Sequence, residues 1–508
     1  MTNQGSRLLP GRSAGRLIAA SALLCSACLA HAREIYVAPA GNDAGPGTIS
    51  EPFGTIRKAI DVAAAGDTIY LRAGVHEQSQ SLQALRDGSE GSVTRLWAYP
   101  GERPVIDFAS QPRATTSRGL VLSGQFWHVR GVHIRNAGDN GVFISGSNNV
   151  VENCELYRNE DTGLQISNGG SYNTVLNCDS YENYDPATHG ENADGFAPKL
   201  TVGPGNIFRG CRAFSNADDG WDMYEAAYPV VLDSCWAFQN SHNIWQDPAF
   251  EGDGNGFKIG GNYVPTWHRV TRCIAFDNPS KGFDQNHNTA GVTVLQCTGW
   301  ANGVNFSFQE TPAAGQDTLV NNLSHAGPVL VELAAVQSHN SWQAGVVTDA
   351  DFVSLDLSLA RLPRNGDGTL PVAGFLRPAP GSTLVDAGTD LGLPFFGGGP
   401  DLGALESDTT MTGVDAGAWA SSFVLLDNYP NPFNPGTTIR FAVPSSGRVT
   451  VDLYNAAGAR LFRLYEGHAE QGKSYSVWLD ASGLASGAYI SLLRGGGFRQ
   501  ARKLMVVR

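Results

Sequence analysis

The chain has 508 residues, more than one compact domain usually holds, so the sequence predicts at least two structural units. It contains 61 glycines and only 16% charged residues, which favours a turn-rich β protein over a helical one. The formal net charge of −13 argues against nucleic acid as a partner. It argues equally against an acidic polysaccharide, unless bound cations reverse the charge where that polymer would bind.

Residues 1–32 are predicted to be a secretory signal peptide. Arg7, Arg12 and Arg16 precede an apolar stretch at 17–29 that is too short to span a bilayer, and 30–32 read Ala-His-Ala, a small-x-small cleavage site. Removing this peptide leaves 32 basic and 48 acidic residues, a net charge of −16. A lipoprotein signal at Cys25 or Cys28 fits the residues before each cysteine less well. The sequence predicts a secreted protein with no membrane span, either released or attached to the cell surface.

A short strand and a glycine-rich turn are predicted at 33–48, followed by a helix at 52–65 and a strand at 68–72. Ile56, Ala59, Ile60 and Ala63 have helical spacing, and 68–72 alternate as a strand does. A helix at this place would cover the open end of a stack of sheets.

A repeated segment becomes legible from residue 131. Seven hexapeptides align, and each ends in asparagine: GVHIRN (131–136), CELYRN (154–159), CDSYEN (178–183), CRAFSN (211–216), CWAFQN (235–240), CIAFDN (273–278) and CTGWAN (297–302). Successive copies are 23, 24, 33, 24, 38 and 24 residues apart, which indicates a solenoid with one unit per coil. We predict a parallel β-helix; a leucine-rich repeat would need leucine positions and helices that the sequence lacks.

Three columns of residues should stack from coil to coil. The asparagines suit a ladder of side-chain amides at a turn. The cysteines (154, 178, 211, 235, 273, 297) and the aromatic residues (157, 181, 214, 238, 276, 300) are expected to stack inside the helix. Six cysteines in a secreted chain usually form disulfides. Cysteines stacked about 4.8 Å apart on parallel strands seldom reach disulfide geometry, so free buried thiols are favoured.

The two long intervals mark insertions at 184–192 and 241–255, directly before the residues that we expect to carry the chemistry. A solenoid places insertions in loops, often at its binding face. Beyond residue 302 the repeat degrades, with further coils near 321–327 and closing turns up to 406. This gives a β-helix catalytic domain at 33–406, a linker at 407–422 and a separate unit at 423–508. Five short alternating strands (437–443, 448–455, 475–480, 488–494, 503–508) predict a small immunoglobulin-like β-sandwich for that unit.

Three motifs share a glycine followed by a large aromatic residue: ENADGFAPK (191–199), NADDGWDMY (216–224) and GDGNGFKIGG (252–261). If they occupy the same part of three successive coils, four carboxylates and one amine converge: Asp194, Asp218, Asp219, Asp222 and Lys258. The aromatic residue should point into the core, and Asp222, Lys258 and Asp284 should then face solvent on successive coils. Carboxylates this close would repel one another without a bound cation.

Oxygen ligands without cysteine or histidine suit Ca²⁺ rather than Zn²⁺. Ca²⁺ beside a lysine suits β-elimination of a polyuronate, in which the lysine removes the C5 proton and the cation stabilises the enolate charge. A lysine base favours an alkaline optimum, because its ordinary pKa is about 10.4. Asp194 and Asp219 each stand in an Asp-Gly pair, and either alone would be read as a turn residue.

These motifs resemble those of polysaccharide lyase family nine, the pectate lyases with a ten-coil right-handed parallel β-helix. The resemblance extends over 34–406 and includes KGFDQNHNTAG (281–291). It implies that Asp194, Asp218, Asp219 and Asp222 bind the primary Ca²⁺ and that Lys258 is the Brønsted base. It also implies an acidic polysaccharide substrate, polygalacturonate. We expect the enzyme to be a monomer.

The C-terminal unit resembles the sorting domains of the type nine secretion system and the related hook-capping immunoglobulin-like domains. DNYPNPFNP (427–435), GLASGAYI (483–490) and RKLMVVR (502–508) carry this likeness. It implies export across an outer membrane by that machinery.

Five residues in or near the three motifs are assigned no step of this chemistry. Lys199, Lys281 and Tyr224 are expected near the site, either as solvated surface or as substrate contacts. Asp284 is expected to be solvated surface, and His189 to be loop surface, since this chemistry does not need a histidine. Alternative functions remain open: a polygalacturonase-type hydrolase with paired carboxylates, a lyase of another polyuronate such as alginate, and a non-catalytic carbohydrate-binding β-helix.

Overall fold

The computed structural model describes 32–407 apart from 367, 372, 373 and 394, and 424–506 apart from several short gaps (426–432, 434–435, 444–445, 456–457, 470–473, 482 and 496–497). The predicted signal peptide, 1–32, lies outside the described residues except for Ala32. The predicted linker, 407–422, lies outside them except for Ser407. The boundaries of these domains remain predictions.

Residues 34–338 form a parallel β-helix built from three sheets. In-register parallel pairing joins each strand to the equivalent strand of the next coil. The first sheet has twelve strands: Glu34–Val37, Thr68–Leu71, Thr94–Ala98, Trp127–Arg130, Val150–Glu152, Thr174–Leu176, Asn206–Arg209, Val230–Asp233, Arg269–Thr271, Thr293–Leu295, Thr318–Val320 and Val336–Ser338.

The second and third sheets have ten strands each, in agreement with the predicted number of coils. The second comprises Gly74–Glu77, Pro104–Asp107, His133–Arg135, Glu155–Tyr157, Asp179–Tyr181, Arg212–Phe214, Trp236–Phe238, Ile274–Phe276, Thr298–Trp300 and Leu323–His325. The third comprises Leu82–Ala84, Leu120–Leu122, Val142–Ile144, Leu164–Ile166, Phe196–Pro198, Trp221–Asp222, Phe257–Lys258, Lys281–Asp284, Val304–Phe308 and Val329–Val331.

The predicted N-terminal helix is present at Ile56–Val62, shorter than the expected 52–65. The Thr55 side chain accepts a hydrogen bond from the backbone N–H of Lys58, which fixes the start of the helix. Ile56, Ala59 and Ile60 are buried in the main core, so the helix covers the end of the sheet stack. The other short helices are Ser341–Ala344 and the 3₁₀ turns Asp349–Asp351 and Leu357–Arg361.

The asparagine ladder is confirmed. The backbone N–H and the side-chain amide of Asn159 both donate to Asn183 Oδ1, at 3.1 and 2.9 Å. The same side-chain bond recurs from Asn183 to Asn216, from Asn216 to Asn240 and onward to Asn302. The six described cysteines are free and buried inside the helix, as predicted.

The aromatic column stacks as predicted, but it lies outside the helix rather than inside. Successive rings from Tyr157 to Phe276 are 4.5 to 5.0 Å apart and nearly parallel. Cys154 and Leu156 point into the core, so Tyr157, an odd number of positions from Cys154, points to the other face. Phe375 packs on this outer face, in a second buried cluster that joins residues of 352–402 to Trp236, Phe238, Ile274, Phe276 and Leu323.

This covering segment, 349–405, is tied to the second sheet by buried charges. Arg212 and Arg364 both donate to the carboxylate of Asp179, at 2.7 and 2.5 Å. Arg212 also donates to the backbone carbonyls of Ala360 and Leu362. The sequence did not predict this cover, because its residues lack the repeat.

The C-terminal unit has two antiparallel sheets that share one hydrophobic cluster, in agreement with the predicted small β-sandwich. One sheet contains Val424–Leu425, Gly436–Ala442 and Ser474–Asp480, and the other contains Arg460–Ala469, Gly447–Asn455, Gly487–Gly495 and Phe498–Val506. The sequence analysis missed Arg460–Ala469. That strand lies at a sheet edge and is largely exposed, so it lacks the alternation of a half-buried strand.

Candidate active site

The three glycine–aromatic motifs occupy the same position on three successive coils of the third sheet, as predicted. Phe196, Trp221 and Phe257 are register partners, and their rings stack in the core 4.8 to 4.9 Å apart. The glycine before each ring lies close to the next coil: a Cβ on Gly220 would be 2.5 Å from the carbonyl oxygen of Gly256. No other residue fits without displacing the backbone.

Three of the predicted metal ligands converge. Asp194, Asp218 and Asp219 each present a carboxylate oxygen, and these oxygens all lie within 4.8 Å of one another. The fourth predicted ligand, Asp222, is not a member of this group. It lies at the adjacent strand position opposite Lys258, and its two oxygens are held by other partners.

Backbone amides hold the two aspartates of the middle coil. Asp218 accepts from the N–H groups of Asn192 and Asp253, one from each insertion, at 2.9 and 2.6 Å. Asp219 Oδ1 accepts from the backbone and side-chain nitrogens of Asn255, at 2.8 and 2.9 Å. Asp219 Oδ2 is buried and makes no hydrogen bond. It is 3.2 Å from the Lys258 ammonium, which is not aligned to donate to it.

Lys199 is part of this site, although the sequence analysis expected it at the surface or in contact with substrate. It is only 8% exposed, and its ammonium lies 3.0 Å from Asp194 Oδ2 and 2.9 Å from Asp222 Oδ2. One signal was available in the sequence. Lys199 lies two positions beyond Ala197, which the alignment of Phe196 with Trp221 places opposite Asp222, and positions two apart share a face of the strand.

Lys258 lies at the rim of the cluster, with 13% of its side chain exposed. Its ammonium is 2.8 Å from Asp253 Oδ2, 3.2 Å from Asp219 Oδ2 and 3.9 Å from Asp222 Oδ1. The sequence analysis did not single out Asp253. Its side chain is half exposed, so it is the carboxylate of this group most open to solvent.

Asp222 and Asp284 were predicted to face solvent, but they are buried, as are the other three aspartates of the site. Their exposed fractions are 0 to 4%, and Asp284 is paired with Lys281 at 2.7 Å. Strand alternation correctly directs these side chains away from the core, but it takes no account of the loops that cover the sheet. Tyr224 is exposed as expected, and so is His189.

The two insertions interlock over the site. Asp247 accepts a hydrogen bond from the Tyr184 hydroxyl at 2.6 Å and lies 3.0 Å from His189 Nδ1. The rings of Tyr184 and Trp245 stack with their centres 4.8 Å apart. These contacts fix the two loops whose amides hold Asp218.

Burial and mutual repulsion change the pKa values of the carboxyl groups in the site. Burial raises the pKa of Asp194 to about 7 and that of Asp219 to about 8. It raises the pKa of Asp218 as well. Burial acts on Asp222 in the same direction, but Lys199 and Lys258 outweigh it and hold its pKa below the ordinary value. Burial opposes the charge of Lys258, yet Asp219 and the neighbouring carboxylates raise its pKa.

These residues fit a hard divalent cation. The donor set consists of carboxylate oxygens, the kind of ligand that Ca²⁺ prefers. Asp219 Oδ2 is a buried carboxylate oxygen that accepts no hydrogen bond, so it is available to a metal ion. The assignments of metal ligands and base remain predictions.

Residues 35–322 match the family model described as the Pel9A-like, right-handed β-helix region. The chain belongs to this family of pectate lyases. Pectate lyase L of Dickeya chrysanthemi is 40% identical over 385 residues, which cover 74% of this chain and 90% of that protein. Pectate lyase PEL9 of Emericella nidulans is 36% identical over 390 residues, covering 70% of this chain and 94% of the relative. The chain is therefore an enzyme, a polysaccharide lyase.

Solved structures agree with this placement. The crystal structure of pectate lyase Pel9A superposes with a TM-score of 0.71 at 41% identity, covering 74% of this chain and 96% of that one. A rhamnogalacturonan lyase superposes with a TM-score of 0.61 at 28% identity, covering 68% of this chain and 96% of that one. The β-helix is therefore right-handed, as the resemblance implied.

Residues 427–507 match the model of the secretion system C-terminal sorting domain, which confirms the second resemblance. In the part of the chain that the structure describes, no helix combines the length and apolar character needed to cross a membrane.

Proposed function

We propose that this chain is a Ca²⁺-dependent pectate lyase that cleaves polygalacturonate by β-elimination, with Lys258 as the base. The observation that supports this most directly is the position of the Lys258 ammonium, at the rim of the buried carboxylates and 3.2 Å from Asp219. A lysine so placed can reach a proton on a sugar lying over the cluster. Asp194, Asp218, Asp219 and Asp222 would hold the Ca²⁺.

In the reaction, neutral Lys258 accepts the C5 proton of a uronate ring. The electron pair of that C–H bond forms the C4–C5 double bond, and the C4–O4 bond breaks. Its electrons leave with the glycosidic oxygen, which takes up a proton from solvent. Bound Ca²⁺ supplies charge that acidifies C5 and stabilises the developing enolate. The product is an unsaturated uronide and a shortened chain.

The surrounding carboxylates orient Lys258 and control its protonation state. Asp253 binds its ammonium from the exposed side and orients it, while Asp219 and Asp222 lie beneath it. The same carboxylates keep Lys258 protonated as long as their charge is uncompensated. Lys258 can therefore lose its proton only when a cation compensates the charge of these carboxylates. Because a lysine base must be neutral, activity should rise toward alkaline pH.

The test is the ultraviolet absorbance of the unsaturated product during incubation with polygalacturonate at alkaline pH. The full chain is assayed with Ca²⁺, with excess chelator, and as Lys258→Ala, with Arg158→Ala, which breaks an exposed ion pair on an earlier coil, as a control. We expect the absorbance to rise only with Ca²⁺ and only while Lys258 is present. New reducing ends without absorbance would assign a hydrolase, and absorbance only with alginate would change the substrate. Sugar binding without cleavage would leave a carbohydrate-binding β-helix.

We also propose that the enzyme is exported and acts outside the cell. The proposal combines the signal-like residues 1–32 with the sorting-domain match at 427–507. In it, 33–406 is the catalytic domain, 407–422 a linker, and 423–508 the address read by the secretion machinery. Deleting 423–508 should leave the lyase inside the cell envelope, while the full chain reaches the medium or the cell surface. Equal export of both forms would refute this role.

A further inference from the structure

Lys199 is a buried cation to which the proposed reaction assigns no task. It follows the strand Phe196–Pro198, and its ammonium bridges two coils by binding Asp194 Oδ2 and Asp222 Oδ2 at once. A lysine as buried as this one, at 8% exposure, is rare unless its charge is fully paired.

The backbone of Lys199 is held in place by three hydrogen bonds. Its N–H donates to the carbonyl of Ile166 at 3.3 Å, and its own carbonyl accepts from the Ser167 hydroxyl at 2.9 Å and from the N–H of Val202 at 3.2 Å. The side chain is held between these anchors and the two carboxylates it bridges.

Each bridged carboxylate keeps its second oxygen in another contact. Asp194 Oδ1 accepts from the N–H of Asp219 at 3.3 Å, and Asp222 Oδ1 accepts from the N–H of Tyr224 at 2.9 Å. Lys199 thus orients both carboxylates from the side away from those amides.

Lys199 changes the net charge of the carboxylate cluster. Four aspartates and two lysines carry a formal charge of −2, which one divalent cation neutralises. Without Lys199 the charge would be −3, because only Lys258 would remain. Asp253 adds a charge at the rim, where solvent screens it.

We infer that Lys199 is a built-in counter-cation that lowers the affinity of this cluster for Ca²⁺ and stabilises it when no metal is bound. This inference rests on the proposed function, in which the cluster binds Ca²⁺. Two like charges held within a few ångströms in a poorly solvated site repel strongly, so Lys199 must weaken cation binding. When the metal is absent, the positive charge of Lys199 offsets the repulsion among the carboxylates.

The experiment compares wild type with Lys199→Met, which keeps the length of the side chain and removes its charge. Calorimetric titration of the metal-free full chain with Ca²⁺ gives the affinity, and thermal unfolding with chelator and with Ca²⁺ gives the stability. We expect Lys199→Met to bind Ca²⁺ at least tenfold more tightly. Without metal, the variant should unfold at a lower temperature than wild type. Addition of Ca²⁺ should raise its unfolding temperature by more than it raises that of wild type. Arg158→Met, which removes a charge from an exposed ion pair with Glu182 on an earlier coil, should match wild type.

The outcomes separate the inference from the proposal on which it rests. If wild type binds no Ca²⁺, or if Asp219→Asn leaves its affinity unchanged, the proposed Ca²⁺ site itself fails. If wild type binds Ca²⁺ at this site but Lys199→Met binds it equally or more weakly, only the inference is overturned. If Lys199→Met folds only with Ca²⁺ present, competition with a chelator of known affinity measures its binding, and Lys199→Gln provides a second neutral variant.

Discussion

Asp222 and Lys258 are register partners on adjacent strands, and the Lys258 ammonium lies 3.9 Å from Asp222 Oδ1. Parallel in-register pairing places such partners about 4.8 Å apart at the backbone, so the coil repeat itself sets a carboxylate beside the candidate base. Asp222 is buried, and Lys199 binds its other oxygen, Oδ2, at 2.9 Å.

Replacing Lys258 with alanine should reduce kcat by about 10² to 10⁴, the range that general bases contribute, while KM changes little. Lys258 is at the rim, so the fold should persist, and circular dichroism should be unchanged. Steady-state kinetics on polygalacturonate measure the effect. A variant that retains more than half of the wild-type kcat would rule out Lys258 as the base.

Replacing Asp253 with asparagine should lower kcat by about tenfold without loss of stability. The carboxylate holds the Lys258 ammonium at 2.8 Å, and an amide of the same shape holds it less firmly. The pH profile of kcat should shift, since a nearby negative charge is gone. Asp349→Asn, which removes an exposed carboxylate paired with His325, is the control. An unchanged pH profile would mean that Asp253 does not act through Lys258.

The stability of the metal-free protein should fall as the pH rises from about 5 to 8. The pKa values of Asp194 and Asp219 rise from an ordinary 3.8 to about 7 and about 8 on folding, so the folded state binds more protons in this range. Stability then decreases with pH, by up to about 1.4 kcal/mol per pH unit for each group. Chemical denaturation in chelator measures it, and Asp219→Asn should flatten the slope. A wild-type slope no steeper than that of this variant would contradict the expectation.

Replacing Asp179 with asparagine should cost about 3 to 5 kcal/mol of unfolding free energy, because it leaves two buried guanidinium groups without their counter-charge. Arg212 and Arg364 both bind this carboxylate, and Arg364 anchors the covering segment. Denaturant unfolding measures the loss. Arg158→Ala breaks an exposed pair with Glu182 and should cost less than about 1 kcal/mol. Similar losses in the two variants would show that the buried pair does not hold the cover.

The repeat could be predicted because it is local and periodic. Each hexapeptide ends in an asparagine such as Asn216, and parallel stacking turns equal positions in sequence into neighbours in space. The same logic placed Asp222 beside Lys258 and predicted free thiols. It failed for Tyr157, whose odd offset from Cys154 assigns it to the opposite face of its strand.

The sequence by itself determined the β-helix, the interior cysteines, the amide ladder and the convergence of Asp194, Asp218 and Asp219. All of these follow from one repeat, because parallel stacking makes equivalent positions of successive coils neighbours in space. Only the tertiary structure decided that the site is buried, that Lys199 bridges Asp194 and Asp222, and that Asp253 holds Lys258. These depend on loops and a covering segment that have no repeat. Their positions follow from packing between residues far apart in sequence, which no local pattern encodes.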